Sequence, residues 1–390
     1  MIKIPKNAEY IIDVLKSAGY HASIVGGSVR DALLGRSPDD FDITTDALPD
    51  AIRELFPRTH DTGIKHGTVT VVIDKIPYEV TTYRIDGEYR DGRHPESVCF
   101  TDKIELDLAR RDFTVNAMAY NRYDGLIDAF GGRADLEGGL IRAVGDPTLR
   151  FTEDALRIFR ALRFSSVLDF DIEEKTAAAL RSLSGGLGQV SKERILVEWR
   201  KLLGGRRVWG VIREYSDVIS SVIPGLGEMK LPDEEVFQSL SPFERELILY
   251  AMNSGADAYR EAARELKMDN KTRDKGISVL SNLINSENIT HVFLREYLIG
   301  RADDEALMSA RLSQILGIAP CGTVELMGRV IDEGTVRNLS MLAVDGKDIA
   351  ALGFSGTEIG KVLMHLLRAA ALGECANEKD ALLEMAKDFK

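Results

Sequence analysis

The stretch Ile24-Val25-Gly26-Gly27-Ser28-Val29-Arg30-Asp31, followed shortly by Asp39-Asp40-Phe41-Asp42-Ile43, constrains the fold of this 390-residue chain more than any other. His21 to Val25 reads as a strand, the glycine pair as a tight turn into a helix through Leu34, and Phe41 to Thr44 as the next strand. In Asp40-Phe41-Asp42 the acids stand at i and i+2. On a strand that spacing puts both carboxylates on one face and turns Phe41 and Ile43 to the core. Paired carboxylates repel unless a cation lies between them, and hard oxygen ligands suit Mg²⁺, which completes its shell from substrate phosphates. The Gly26-Gly27 turn lets backbone N–H groups approach an anion, Ser28 adds a hydroxyl, and Arg30 adds a guanidinium fork that fits phosphate oxygens.

Around this element the first 150 residues alternate between helical and strand patterns. Ile11, Ile12, Val14 and Leu15 mark a helix over 7–18, and Pro49 opens another that runs to Leu55. Thr68 to Ile73 and Tyr78 to Arg84 are β-branched and aromatic-rich, with Asp74-Lys75-Ile76-Pro77 as their turn. Glu79 alternates with Tyr78 and Val80, so it can point toward the same edge as the acid pair. Phe113 to Ala119 reads as a helix entering the core. From Glu153 the pattern is helical almost to the end, broken at Gly185-Gly186, Gly204-Gly205, Pro224-Gly225, Pro232 and Pro242. The expected class is α/β plus all-α: a mixed sheet with helices, then an elongated all-helical remainder.

Two further blocks carry chemistry, Arg110-Arg111-Asp112-Phe113-Thr114-Val115-Asn116-Ala117 and Phe151-Thr152-Glu153-Asp154-Ala155-Leu156-Arg157. Thr152 is expected to cap a helix whose buried stripe is Leu156, Phe159 and Leu162. Asp154, Arg157, Arg160 and Arg163 then fall at i+3 steps on one ladder. An Asp–Arg pair can read a base: cytosine and adenine each offer an amino donor beside a ring-nitrogen acceptor, matching a carboxylate beside a guanidinium. Uracil and guanine present the reverse order and leave two groups mispaired, worth several kcal/mol of rejection.

The global charge points the other way. The chain has 50 basic and 62 acidic residues, a net charge of −12, and an acid excess disfavours a phosphate backbone as partner. Locally the balance differs: residues 107–163 hold nine Arg, no Lys and nine acids, and Arg without Lys suits planar, bidentate recognition.

In this order the three blocks resemble the class II tRNA nucleotidyltransferase and bacterial poly(A) polymerase family, within the superfamily of DNA polymerase beta. The resemblance implies a catalytic head over 1–150, a base-recognising neck over 151–205, and a body (206–310) and tail (311–390) that bind tRNA. It implies that Asp40 and Asp42 bind two Mg²⁺ ions, with Glu79 beside them. It further implies that Gly26, Gly27, Ser28 and Arg30 hold the triphosphate, and that Arg111, Asp112, Asp154, Arg157, Arg160 and Arg163 bind the incoming nucleotide, with the Arg110-Arg111-Asp112 motif at the ribose. The implied activity is addition of CCA to the tRNA 3′ end from CTP and ATP, with the acceptor and T arm as the partner surface. Ile85 to Phe100 is similar to the family's loop for switching from C to A, with Arg93-His94-Pro95 where the family usually has Arg-Arg-Pro.

A poly(A) polymerase and a partial CC- or A-adding enzyme use the same scaffold, and a non-catalytic RNA-binding protein is the reading of another class. Residues 344–390 carry six basic and eight acidic side chains, which favours a tRNA-specific enzyme over a polymerase of diverse RNA. Cys99, Cys321 and Cys375 are odd in number and form no CxxC, the N-terminus has no apolar run of a signal peptide, and no stretch is apolar enough to span a membrane. The expectation is a cytoplasmic protein without a membrane partner; monomer and homodimer are both compatible with the sequence.

Overall fold

A computed structural model describes residues 2–38, 40–87, 97–227 and 229–389. The chain divides into two compact units, Met1–Ile223 and Pro224–Lys390.

The first unit begins with α1 (Lys6–Ser17), β1 (Ala22–Val25), α2 (Gly27–Leu33), β2 (Ile43–Thr45) and α3 (Pro49–Leu55). Then come β3 (Thr59–Gly63), β4 (Thr68–Ile73), β5 (Ile76–Thr82), β6 (Arg84–Asp86) and β7 (Val98–Phe100). After α4 (Ile104–Ala109) follow β8 (Ala119–Asn121), β9 (Gly125–Ile127), α5 (Gly132–Glu137) and β10 (Leu140–Ile141). The unit continues with α6 (Pro147–Glu153), α7 (Leu156–Leu168), β11 (Asp171–Ile172), α8 (Glu174–Ser182) and α9 (Lys192–Leu203). Two short helices, Val208–Glu214 and Ser216–Ser220, end it.

Seven strands form one sheet in the order β3-β4-β5-β2-β1-β8-β9. All neighbours are antiparallel except β2 and β5, which run parallel with Ile43 beside Val80. That register sets Asp42 beside Glu79. Asp74 and Lys75 both have positive φ, 51° and 68°, the geometry of the two-residue hairpin turn that suits strand twist.

Two expectations fail here. Phe113 to Ala119 is not a helix: a single 3₁₀ turn, Thr114–Asn116, leads into β8, which pairs with β1. Ala and Met favour a helix locally, but sheet pairing wins. Thr152 does not cap a helix either. Asp146 caps α6, accepting from the Thr148 N–H at 2.9 Å, with Pro147 at the first turn. Thr152 lies inside α6, and its hydroxyl donates to the Thr148 carbonyl at 2.8 Å. The helical pattern after residue 153 is also crossed once by a strand, β11, which pairs parallel with β10.

α7 and α9 pack face to face. Phe159 and Trp199, both 0% exposed, meet with ring centroids 6.5 Å apart, and burying side chains of that size contributes about 2–3 kcal/mol each. A Cβ on Gly205 would fall 2.0 Å from Ser166 Oγ and 2.5 Å from its backbone, so only glycine allows the chain to pass α7 there.

The second unit is helical throughout its described residues. Leu294, Leu298, Ala306, Ala310, Met327 and Val330 form one buried cluster. Val344, Ile349, Val362, Leu366, Leu382 and Ala386 form another. No helix among the described residues is long and apolar enough to cross a membrane.

Candidate active site

Asp40 and Asp42 lie on the extended run that enters β2, exposed on one side, while Ile43 is buried and Phe41 half-buried. The Asp42 carbonyl accepts from the Val25 N–H at 3.0 Å, which seats it against the Gly26 turn. Burial pushes the Asp42 carboxyl above the usual range, Arg111 opposes the shift, and Asp40 adds to it. Glu79, on the neighbouring strand, is raised by burial and then by Asp42 and Asp40. The three carboxylates therefore share one field on one edge of the sheet. Among the described residues no three His, Cys, Asp or Glu side chains form a complete metal cage by themselves. The donor set nevertheless suits Mg²⁺, which takes one or two carboxylates and fills its shell from phosphates and water.

The cationic side of the site is built around Gly26 and Arg111. Gly26 has φ 78°, and a Cβ there would lie 2.9 Å from Arg111 Nη1. Arg111 Nη2 stands 3.6 Å from Asp107 Oδ2, and its buried Nε has no hydrogen-bond partner. Burial lowers the Arg111 pKa against the opposing pull of Asp107. Asp107 is fully buried: burial raises its carboxyl, but Arg110 and Arg111, with hydrogen bonds from Arg110 and the Arg84 N–H, hold it below its ordinary value. The Thr44 hydroxyl also donates to it, at 3.3 Å. Ser28 is buried, and its hydroxyl donates to the Val25 carbonyl at 3.2 Å.

Arg30 does not stand alone. Its Nε and Nη2 donate to the two Asp31 oxygens, each at 2.9 Å, and Nη1 donates to Asn116 Oδ1 at 2.5 Å. Asn116 Nδ2 in turn donates to Asp112 Oδ1 at 3.1 Å, and Arg160 grips Asp112 Oδ2. Asp112 is thus enclosed. Burial would raise its carboxyl, but Arg160, Asn116 and the Arg157 charge hold it far below the usual carboxylate range. The Phe164 ring collects three of the cations, with Arg163 at 3.6 Å from its centroid, Arg30 at 5.1 Å and Arg160 at 5.3 Å.

The ladder expected to read the base is altered. Asp154 is not on α7; it is the extended residue between α6 and α7, and the ladder reduces to Arg157, Arg160 and Arg163. Asp154 Oδ1 accepts from the Leu156 N–H at 3.1 Å, and Oδ2 accepts from Arg194 at 2.8 Å. Arg157 is buried, with Nη2 donating to the Arg110 carbonyl at 3.0 Å and Nη1 to Glu153 at 2.8 Å. Glu198 faces Arg163 at 2.6 Å and Arg160 at 3.6 Å. The sequence reading missed Asn116, Arg194 and Glu198 as members of this network. Asn116 lay inside a quoted motif, whereas the i, i+4 spacing of Arg194 and Glu198 was the one signal for that pair. Most of the loop over Ile85 to Phe100, including Arg93-His94-Pro95, lies outside the described residues; its ends, β6 and β7, pair with Asp86 opposite Val98.

Known proteins share this architecture. The Poly A polymerase head domain matches residues 22–142, and the family described as the probable RNA and SrmB-binding site of polymerase A matches 169–216. The CCA-adding enzyme of Geobacillus stearothermophilus is 37% identical over 382 residues, 95% of this chain and 94% of that protein. The CCA-adding enzyme of Leuconostoc mesenteroides is 34% identical over 400 residues, 98% of this chain and 96% of that protein. The crystal structure of the Bacillus stearothermophilus CCA-adding enzyme in complex with CTP superposes with a TM-score of 0.81 at 34% identity, covering 98% of this chain and 96% of that one. With relatives of that name 34–37% identical over nearly the whole of both chains, and a carboxylate cluster beside a glycine turn on a matching head, the chain belongs to the CCA-adding enzymes, on the polymerase-beta-like nucleotidyltransferase scaffold.

Proposed function

We infer that this chain builds CCA at the 3′ end of tRNA without a template, taking nucleotides from CTP and ATP and releasing pyrophosphate. One observation carries the reading: β2 beside β5 sets Asp42 next to Glu79, and the Asp42 carboxyl feels both the Asp40 charge and the opposing Arg111 guanidinium. Such an edge needs cations on its acidic side and an anion at its basic side.

In this reading Asp40 and Asp42 hold two Mg²⁺ ions, with Glu79 as the third carboxylate of the edge. Bound there, Mg²⁺ would favour the ionised primer 3′-hydroxyl and neutralise charge on the triphosphate and the departing pyrophosphate. The chain's own residues do the positioning. Arg111 and Arg30, with the Gly26-Gly27-Ser28 turn, bind the phosphates. Asp112 acts through Arg160 and Asn116, which it orients. Asp154 accepts from the base amino group while Arg157 donates to the ring nitrogen, so cytosine and adenine fit and uracil and guanine are refused.

The change from C to A we place in residues 86–98. The body and tail, 206–310 and 311–390, take the acceptor and T arm of tRNA. The enzyme works in the cytoplasm, where its three unpaired cysteines stay reduced. The test is Asp42→Ala: incorporation of labelled CTP should vanish while tRNA binding persists, and retained incorporation would contradict the reading.

A further inference from the structure

α9 presents two charges one turn apart, one to α7 and one to the segment that enters it. Arg194 and Glu198 share a face, and the first holds Asp154 at 2.8 Å while the second holds Arg163 at 2.6 Å and Arg160 at 3.6 Å. Trp199, on the same helix, anchors that face against Phe159. The helix that carries these two groups reaches the side chains proposed to read the base and line its pocket.

From this arrangement we propose that Arg194 is a specificity-positioning residue: it clamps the Asp154 carboxylate so that a base with a carbonyl in place of an amino group meets a fixed negative charge. The inference rests on the base-reading role proposed above for Asp154 and Arg157.

A carboxylate accepts an amino hydrogen whether it is rigid or loose, because it can settle onto a donor. Refusing uracil is different. The O4 of uracil is repelled only if the carboxylate cannot turn aside and let water take its place, so exclusion needs an immobile acceptor. Asp154 is immobilised at both oxygens. Oδ1 caps the first N–H of α7, from Leu156, and Oδ2 is held by Arg194. The first bond comes from backbone and fixes one end of the carboxylate. The second comes from a side chain on a different helix, and it alone stops rotation about the Oδ1 contact. Both partners are largely enclosed, with side-chain exposures of 24% for Arg194 and 14% for Asp154, so the bond is little weakened by solvent. Arg194 touches neither phosphate-binding group nor metal-side carboxylate, and its removal leaves those intact.

The measurement is the ratio of kcat/KM for CTP to that for UTP on tRNA lacking CCA, in wild type, Arg194→Gln and Arg194→Lys. A ratio taken on one sample does not depend on the fraction of enzyme that is folded, so a loss of stability alone leaves it unmoved. The expected result is a fall of roughly tenfold or more in Arg194→Gln, mostly through faster use of UTP relative to CTP, and a smaller fall in Arg194→Lys, which keeps a donor with poorer geometry. A ratio within twofold of wild type in Arg194→Gln overturns the proposal. So does loss of CTP incorporation in both variants, since a positioning residue leaves the reacting groups in place. Wild type in the same assay separates the two levels: wild type that does not prefer CTP over UTP sinks the base-reading role, whereas a wild-type preference that survives in Arg194→Gln sinks the clamp alone.

Discussion

Arg160 closes on the Asp112 carboxylate through Nε and Nη2, at 2.9 and 2.5 Å, tying α7 to the turn that follows Arg111. Asp112 is 9% exposed, and the same carboxylate also takes the Phe113 N–H and the Asn116 amide. Asp112→Asn removes the nearer of two counter-charges from Arg160, leaving Glu198 at 3.6 Å, and because Arg160 is about a third exposed the loss is set near 2 kcal/mol, below the cost of a fully buried pair. The sign with pH follows from the depressed folded pKa. The contribution is fully present above the unfolded value of about 3.9 and is lost as pH falls below it. Urea midpoints of wild type and Asp112→Asn should therefore differ most at pH 7 and draw closer only as pH falls below about 4.

The carboxylate edge makes the opposite prediction. Asp42 and Glu79 are both raised, so in the absence of metal their contribution to stability is present at low pH and is lost as pH rises through the folded values. In a chelating buffer Glu79→Gln should stabilise the chain at pH 7 relative to pH 4. Added Mg²⁺ should raise the thermal midpoint of wild type more than that of Asp42→Asn. In activity, Glu79→Gln removes a negative neighbour and makes Asp42 easier to ionise, so the acid limb of kcat/KM should move to lower pH at subsaturating Mg²⁺.

Gly26 carries a positive φ and leaves no room for a methyl beside Arg111 Nη1. Gly26→Ala should cost about 1 kcal/mol in backbone strain and, by displacing the guanidinium, lower kcat/KM for CTP by roughly tenfold or more. The two effects separate in one experiment: a thermal midpoint that falls with kcat/KM unchanged would show that the Arg111 contact is irrelevant to nucleotide use.

Replacing residues 88–96 by a short Gly-Ser linker preserves the β6–β7 pairing of Arg84 with Phe100 and Asp86 with Val98. CC addition should survive and A addition to tRNA ending in CC should be lost. Unchanged A addition would remove the loop from the switch.

The parts of the site that lie in continuous sequence were legible. Strand, glycine pair and acid pair each follow from a local rule, and the sheet delivers Asp42 to Gly26 and Glu79 as the alternation requires. Helix α7 was legible in its apolar stripe, Leu156, Phe159 and Leu162, all buried, and in the Arg157, Arg160 and Arg163 ladder. Its start was misjudged because Thr152 looks like a cap, whereas Asp146 and Pro147 had already opened the preceding helix. Helical propensity misled at Asn116-Ala117-Met118-Ala119, which run from a 3₁₀ turn into β8, a three-residue strand held by its neighbours β1 and β9. Arg194 and Glu198 lie 40 and 35 residues from Asp154 and Arg163, and only the packing of α7 on α9 brings them to those partners. The acid excess of the whole chain carried no information about the site, because the cations that matter are each paired with a local carboxylate.

The most direct measurement is the length and sequence of the product formed on tRNA lacking CCA with all four nucleotides present. The account predicts three added residues, two C and then A, with none from UTP or GTP, and a stop thereafter. A tail of A residues on this RNA or on oligo(A), or no extension at all, would contradict it.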